Sequence, residues 1–137
     1  MKKEITVQVE ISLNIKKVWE VLTEPIHIIN WNFASDDWFC PKAENNLKIG
    51  EKFNYRMEAK DGSFGFDFWG TYTEIQDFKK LFSILGDGRK LEIFLEEKNE
   101  LTTIIEKFEA EDENSIELQK NGWQSILNNL KKYAESL

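Results

Sequence analysis

Cysteine and histidine are nearly absent from this sequence of 137 residues, which contains one of each, Cys40 and His27. A lone cysteine cannot form an internal disulfide, so a reducing compartment fits the chain best. A catalytic arrangement of the Ser-His-Asp or Cys-His type would have to use His27, which follows Pro25 in a predicted short helix. We interpret His27 instead as a structural residue at the edge of the domain.

Positive charge is also scarce. The chain carries 18 Lys and Arg residues against 25 Asp and Glu residues, which gives a formal net charge of −7. Such a surface repels phosphate backbones and anionic lipid headgroups, so we expect neither a nucleic acid nor a membrane as a partner. Long apolar runs are missing, so the sequence predicts neither a signal peptide nor a transmembrane span, and a cytoplasmic location is expected.

Aromatic side chains, by contrast, are abundant. They make up 13% of the residues, with 5 Trp and 10 Phe among them. Hydrophobic residues reach 41%, which is enough to form a buried core, and the length fits one domain spanning residues 1–137. Large flat side chains in so small a domain either fill that core or line a pocket.

The first third of the chain predicts a strand followed by two short helices. Residues 5–11 alternate between apolar and polar types, as a half-buried strand does. Ser12 or Asn14 can cap the next helix, and Pro25 can open a second short helix that ends near Trp31. We expect loop with one short strand over residues 32–50.

The middle of the chain predicts an antiparallel meander, because no connection is long enough for a parallel crossover. Asp61-Gly62 predicts a two-residue hairpin turn, which places Arg56 opposite Asp67 on the solvent face. The other face carries an aromatic row that should look toward the C-terminal helix. The members of the row are Phe53, Tyr55, Met57, Phe66, Phe68 and Tyr72.

Apolar residues at helical spacing predict one long helix at the C-terminus. Its stripe consists of Trp123, Leu127, Leu130, Ala134 and Leu137. We expect Trp123 to cover the aromatic row. Together these elements predict an α+β fold in which a curved antiparallel sheet wraps around the long helix, with two short helices after the first strand.

Four segments occur in a recognisable order along the chain. They are Leu22-Thr23-Glu24-Pro25-Ile26-His27 with Trp31 downstream, Gly50-Glu51-Lys52-Phe53, Gly70-Thr71-Tyr72-Thr73-Glu74-Ile75, and Gly122-Trp123. The order resembles SRPBCC (START-like) domains, most closely the branch named after the activator of heat-shock protein 90 ATPase. Residues 36–41 and 56–63 are similar to a bacterial subgroup of unassigned function, which would have His in place of Phe39. The resemblance implies the helix-grip fold and a cavity between the sheet and the long helix.

The superfamily that this chain resembles includes proteins that bind lipids, hydrophobic metabolites or polyketides, and others that act as co-chaperones, so the fold alone does not select a function. We favour a binding module for a small apolar or aromatic ligand. A co-chaperone-like activator of heat-shock protein 90 ATPase would instead use the outer surface, where Trp69 and Phe94 are expected and where a homodimer contact could also form. A cyclase-like enzyme acting on a hydrophobic substrate is the third alternative, and the missing acid–base set argues against it.

We expect the ligand to contact side chains that line the cavity, with hydroxyl groups from Tyr55 and Tyr72 to orient it. The candidates are Trp31, Trp38, Phe53, Tyr55, Met57, Phe66, Phe68, Tyr72, Ile93, Trp123 and Leu127. Asp36, Asp37 and Cys40 form the one dense cluster of potential metal ligands in the sequence, but their spacing matches no zinc pattern. We therefore predict no metal, no cofactor and no catalytic residue; Asp36 should shape the loop, and Cys40 should pack as a small hydrophobe.

Overall fold

The computed structural model describes residues 3–137, which form an antiparallel sheet of seven strands and three helices. The elements are β1 (Glu4–Ile11), α1 (Ile15–Thr23), α2 (Pro25–Ile28), β2 (Trp38–Asn45), β3 (Lys52–Ala59), β4 (Gly65–Gln76), β5 (Lys80–Leu85), β6 (Lys90–Lys98), β7 (Leu101–Glu109) and α3 (Ile116–Glu135). The strand order is β1-β7-β6-β5-β4-β3-β2, and the sheet curls around α3. The predicted α+β helix-grip architecture is confirmed. None of the helices in the described part of the chain is long and apolar enough to cross a membrane.

The two short helices begin and end where local chemistry requires. Asn14 caps α1, because its side chain accepts a hydrogen bond from the backbone nitrogen of Lys17 at 3.0 Å. Glu24 is extended and ends α1, and Pro25 then opens α2. The helix stops at Ile28, earlier than predicted, and a turn carries the chain on to Trp31, whose indole nitrogen donates to the backbone oxygen of Val21 at 3.0 Å.

The strand within residues 32–50 is longer than the short strand that we expected. β2 spans eight residues and includes Pro41, a residue that lacks the backbone N–H needed for a strand ladder. Two features accommodate it. β2 is an outer strand of the sheet, and its register with β3 shifts between Phe39 and Lys42. Proline in sheets is tolerated at such edges and bulges.

The hairpin between β3 and β4 keeps the predicted register, although its turn differs from the prediction. The backbone nitrogen of Ala59 donates to the oxygen of Phe64 at 2.9 Å, which closes a loop of four residues rather than two. A two-residue type I′ turn needs positive φ at both central residues, but here only Gly62 has it, at 79°. Both turns share the same midpoint, so Arg56 still lies opposite Asp67, and the predicted ion pair forms at 3.7 Å on the exposed face.

Helix α3 buries one side of its length against the core. Leu127, Leu130 and Ala134 are buried, as the apolar stripe predicted. Leu137 is 58% exposed, so its assignment to the stripe was wrong. The reason is that α3 ends at Glu135, and the last residues no longer follow the helical path.

Polar side chains of α3 also cover the free edge of β1. They bind backbone groups of two alternate strand residues and of Ser12 just after the strand, groups that face away from β7. The pairs are Gln124 Nε2 with Gln8 O at 2.9 Å, Lys131 Nζ with Glu10 O at 2.6 Å, and Glu135 Oε2 with Ser12 N at 2.8 Å. These contacts hold the helix along the β1 side of the sheet and leave space between α3 and strands β3–β6.

Candidate functional site

That space is a pocket of about 290 Å³ between the concave face of the sheet and α3. Small-molecule sites start near this size, at roughly 300 Å³. Its walls are Leu22, Trp31, Asn32, Phe53, Tyr55, Met57, Phe66, Phe68, Tyr72, Leu81, Ser83, Arg89, Leu91, Ile93, Glu106, Trp123 and Ile126. A second depression, of about 670 Å³, lies at the β2–β3 turn, but it is more open and about half of its lining is polar.

The floor of the pocket is an aromatic cluster on β3 and β4. The ring of Phe53 lies 5.0 Å from that of Tyr55, 5.7 Å from that of Phe68 and 5.5 Å from that of Tyr72. The period-two pattern of the two strands puts these rings on one face. Gly70 makes room for them, because a Cβ at that position would come within 2.8 Å of the Phe53 ring.

Trp123 closes the pocket from the helix side. Its ring stacks on Phe108 with centroids 3.9 Å apart and an interplanar angle of 14°, and it meets the edge of Phe68 at 5.8 Å. The sequence predicted that Trp123 would cover the aromatic row, and the structure places it there, about two turns into α3. Trp123 therefore has one ring face on the core and contacts the pocket lining through Phe68.

The tyrosine hydroxyls form one polar end of the site. The Tyr72 hydroxyl donates to Asn45 Oδ1 at 2.6 Å, and Asn45 Nδ2 donates to the backbone oxygen of Thr23 at 2.7 Å. Burial raises the pKa of Tyr72 to about 12. Burial, reinforced by the neighbouring Tyr72, also raises the pKa of Tyr55 well above its ordinary value. Both hydroxyls are thus neutral hydrogen-bonding groups at physiological pH.

Glu106 is an acidic side chain in the pocket wall. It belongs to β7, where it lies opposite Val7 of β1 and Ile93 of β6. Within residues 3–137, no group forms a hydrogen bond or ion pair with its carboxyl. Burial raises the pKa of this carboxyl to about 8. At neutral pH the Glu106 carboxyl is therefore mainly protonated.

Sequence reasoning missed Glu106, although a signal was present. In β7 the buried residues Thr102, Ile104 and Phe108 alternate with less buried ones, and Glu106 falls on the same side as they do. A carboxylate at an inward position of an otherwise apolar strand face is unusual. That break in the pattern marks it as a candidate for function.

Arg89, another charged residue in the wall, is already paired. Its Nε lies 2.7 Å from Asp87 Oδ2, and its Nη1 donates to the backbone oxygen of Glu109 at 3.1 Å. It lies just before β6, four residues from Ile93, the partner of Glu106 in the ladder. At ordinary strand spacing the Cα atoms of Arg89 and Ile93 are therefore about 13 Å apart.

The structure brings most of the predicted ligand-binding residues to the pocket wall. Trp31, Ile93 and Trp123 join the six members of the aromatic row there. Trp38 and Leu127 do not line the pocket. Trp38 packs on Phe64 and Phe66 at the outer end of the hairpin, and Leu127 is fully enclosed in the core. Contact between a ligand and any of these residues stays a prediction.

The sequence did not single out the remaining wall residues as ligand-binding candidates. Leu22, Leu81, Leu91 and Ile126 carry an ordinary core pattern, and the small polar side chains of Asn32 and Ser83 gave no distinctive signal. They come to the pocket through the packing of α1, α3 and the curved sheet, which sequence periodicity does not specify.

The cluster of Asp36, Asp37 and Cys40 lies outside the pocket. Cys40 is buried with its Sγ 3.5 Å from the backbone oxygen of Lys42, and burial raises the pKa of the thiol. Asp36 and Asp37 are exposed. This placement fits a packing role for Cys40, and the absence of a metal at these residues stays a prediction.

His27 joins the two short helices to α3. Its Nδ1 lies 2.8 Å from the Tyr133 hydroxyl, and its Nε2 lies 3.4 Å from Glu20 and 3.9 Å from Glu24. The side chains of Glu20, Glu24 and His27 bring potential metal-ligating atoms within 4.8 Å of one another. Lys17, however, already pairs with Glu20 at 2.7 Å. The contacts support the interpretation of His27 as a structural residue.

A curved antiparallel sheet that grips a long C-terminal helix defines the class of SRPBCC (START-like) domains. Residues 12–135 match the family described as activator of Hsp90 ATPase homolog 1-like protein, and the chain belongs to that family. No protein with a curated description matches it.

Solved structures of bacterial proteins agree with this assignment. The AHSA1-like protein of Aeromonas hydrophila is similar with 36% identity and a TM-score of 0.91, covering 98% of this chain and 93% of that one. A protein of Cytophaga hutchinsonii has 44% identity and a TM-score of 0.84, covering 97% and 92%. A protein of Nitrosomonas europaea, at 18% identity and a TM-score of 0.81, covers 97% and 94% and shares the fold.

Proposed function

We propose that this protein is a binding module for a small apolar or aromatic molecule, held between the sheet and α3. The observation that carries the proposal is the pocket of about 290 Å³ walled by aromatic rings. Protein interiors are close-packed and rarely leave voids much larger than one water molecule. A space of this size beneath Trp123 forgoes packing contacts that a bound ligand would restore.

A dye titration tests the proposal. We expect the neutral environment-sensitive dye prodan to bind the wild type and the Trp123→Phe variant to bind it several-fold more weakly, because the smaller ring removes part of one wall. Trp69→Phe is the matched control, since Trp69 is a partly exposed tryptophan outside the pocket lining. Melting curves establish that both variants remain folded.

Two results would count against the proposal. One is the absence of dye binding to the wild type, and the other is an equal loss of binding in Trp123→Phe and Trp69→Phe. Native mass spectrometry of gently purified protein adds a second measurement, because a retained small molecule would appear as a discrete added mass. Identification of the retained molecule would then define the ligand directly.

A co-chaperone role is the second candidate, and one surface feature favours it. Phe64 is 61% exposed and Phe66 is 41% exposed, and both rings pack on Trp38 to form an aromatic rim at the end of the β3–β4 hairpin. Exposed rings in contact with one another suit a protein partner or a second copy of the chain. Stimulation of an Hsp90 ATPase by the wild type and its loss in Phe64→Ser would support this role, whereas sedimentation as a dimer that Phe64→Ser disrupts would support self-association.

A further inference from the structure

We propose that the pocket selects a ligand with a basic nitrogen, an apolar amine, and that Glu106 is the residue that binds the nitrogen. The inference rests on the proposed function and names the ligand class of the same site. It assigns a role to the one carboxyl group in the described pocket wall.

The first argument is that the Glu106 carboxyl has no hydrogen-bond or ion-pair partner among the described residues. Charged side chains are rarely enclosed without a partner, because moving a carboxylate out of water costs several kcal/mol. Glu106 has no partner within residues 3–137, yet its side chain reaches the pocket. A group of this kind has unused hydrogen-bonding capacity, and the pocket is the space from which a ligand can meet it.

The second argument is the sign of charge that the surrounding groups favour. Aromatic faces attract cations, and the rings of Tyr55 and Phe68 line the same space. Arg89 does not compete for Glu106, because Asp87 and a backbone oxygen already hold its guanidinium. The formal net charge of −7 raises the local concentration of cations and lowers that of anions. Carboxyl, rings and net charge therefore all favour a protonated amine over an anion.

The third argument concerns size and polarity. A pocket of about 290 Å³ accommodates a body of one or two rings rather than a long lipid chain. The remaining wall is largely apolar, so it binds the body through burial of carbon atoms and not through hydrogen bonds. Specificity then depends on the few polar groups, among which Glu106 is the acid.

Three probes with the same ring system separate the contribution of charge from that of shape. They are 1-naphthylmethylamine, 1-naphthylmethanol and 1-naphthoic acid, titrated by calorimetry into wild type and Glu106→Gln. We expect the wild type to bind the amine at least about tenfold more tightly than the alcohol and the acid most weakly, as a charge-assisted hydrogen bond would give. In Glu106→Gln the amine and the alcohol should bind equally. Glu96→Gln, which changes an exposed carboxylate of β6, should behave as the wild type.

The pH dependence gives a readout that needs no variant. A protonated amine must displace the proton of Glu106, so its affinity should rise about tenfold per pH unit between pH 6 and pH 8 and then level off. The other titratable groups that face the pocket are Tyr55 of β3, Tyr72 of β4 and Arg89 before β6. Burial raises the pKa of both tyrosines, so their hydroxyls stay neutral in this range. The lining residues from α3 are Trp123 and Ile126, which do not titrate. The alcohol should bind independently of pH.

The outcomes distinguish this inference from the proposed function. If all three probes bind equally well, or if Glu106→Gln retains the preference for the amine, Glu106 is not the anchor, although the pocket still binds small molecules. Tightest binding of the acid would likewise overturn the inference. If no probe binds and prodan does not bind either, both proposals are wrong.

Discussion

At the scale of single residues, the polar groups of the pocket differ in whether the protein itself satisfies them. Tyr72 donates to Asn45, which in turn donates to the backbone of Thr23, so this hydroxyl ties β4 to β2 and to the end of α1. Glu106 has no comparable partner among the described residues. We infer that Tyr72 serves mainly the fold and that Glu106 serves mainly the ligand.

The contribution of the hydrogen bond between Tyr72 and Asn45 to stability can be measured. Tyr72→Phe should lower the free energy of unfolding by about 1–3 kcal/mol, because Asn45 Oδ1 loses its donor inside the protein. Urea denaturation measures the loss. A double-mutant cycle with Asn45→Ala should show a coupling energy of about 1 kcal/mol. Additive effects of the two substitutions would contradict a direct hydrogen bond.

Which site residues the sequence could predict depended on their type. The period-two pattern identified the aromatic row correctly as one face, because large apolar residues must be buried and strands alternate. Glu106 was missed because a single glutamate in a strand is normally solvent-exposed, and only its parity with Ile104 and Phe108 indicates otherwise. Trp38 was among the predicted ligand-binding residues, but its position on β2 places it at the hairpin rim.

At the scale of elements, two glycines show what the pocket requires of a strand and of a helix. Gly70 lies in β4, where the Phe53 ring and the backbone oxygen of Ile84 occupy the space of a side chain. Gly122 lies in α3, and a Cβ there would meet nothing within 4 Å. The first glycine is therefore needed for packing, and the second only adds backbone freedom to the helix.

These two sites give opposite expectations for the same substitution. Gly70→Ala should destabilise the protein by about 1–3 kcal/mol, since the Phe53 ring must move, and should weaken dye binding. Gly122→Ala should stabilise it by about 0.5–1 kcal/mol and leave dye binding unchanged. Chemical denaturation and prodan titration measure the two effects. A neutral Gly70→Ala would mean that the floor of the pocket can rearrange freely.

The elements themselves were largely predictable, and the exceptions have local causes. The long helix and the meander strands carry strong periodicity, so they were found. The strand in residues 32–50 was expected to be short because the stretch contains Pro41, Asn45, Asn46 and Gly50, yet an outer position and a bulge accommodate Pro41. The turn at Gly62 was expected to contain two residues, but the structure has a loop of four. Asp-Gly occurs in both kinds of loop, and both give the same pairing of β3 with β4.

At the scale of the whole molecule, the pocket arises from the way α3 attaches to the sheet. The helix is fixed along β1 by side-chain bonds at Gln124, Lys131 and Glu135, while strands β3–β6 curve away from it. Sequence periodicity can predict which faces meet but not how far apart they lie. The fold was therefore predictable, whereas the space beneath Trp123 was suggested only by the resemblance to known domains.

Ionisation of the unpaired Glu106 carboxyl should also affect the stability of the whole protein. Its pKa is about 8 in the folded state and about 4.5 when exposed, so between these values the folded protein binds more protons than the unfolded chain. Stability contributed by this group is therefore lost as pH rises from about 5 to 8, by up to roughly 1.4 kcal/mol per pH unit, and is constant above that range. We expect the wild type to lose a few kcal/mol relative to Glu106→Gln across this interval.

Urea denaturation of both proteins at each pH isolates the contribution of Glu106, because the other carboxylates are common to the two and cancel in the difference. Glu111 and Glu135, whose pKa values are lowered by hydrogen bonds, affect both curves equally. A pH-independent difference would show that water or a neighbouring group solvates the carboxylate in the folded state. Addition of 1-naphthylmethylamine at pH 8 should then stabilise the wild type more than Glu106→Gln, since a bound cation supplies the partner that the ionised Glu106 lacks.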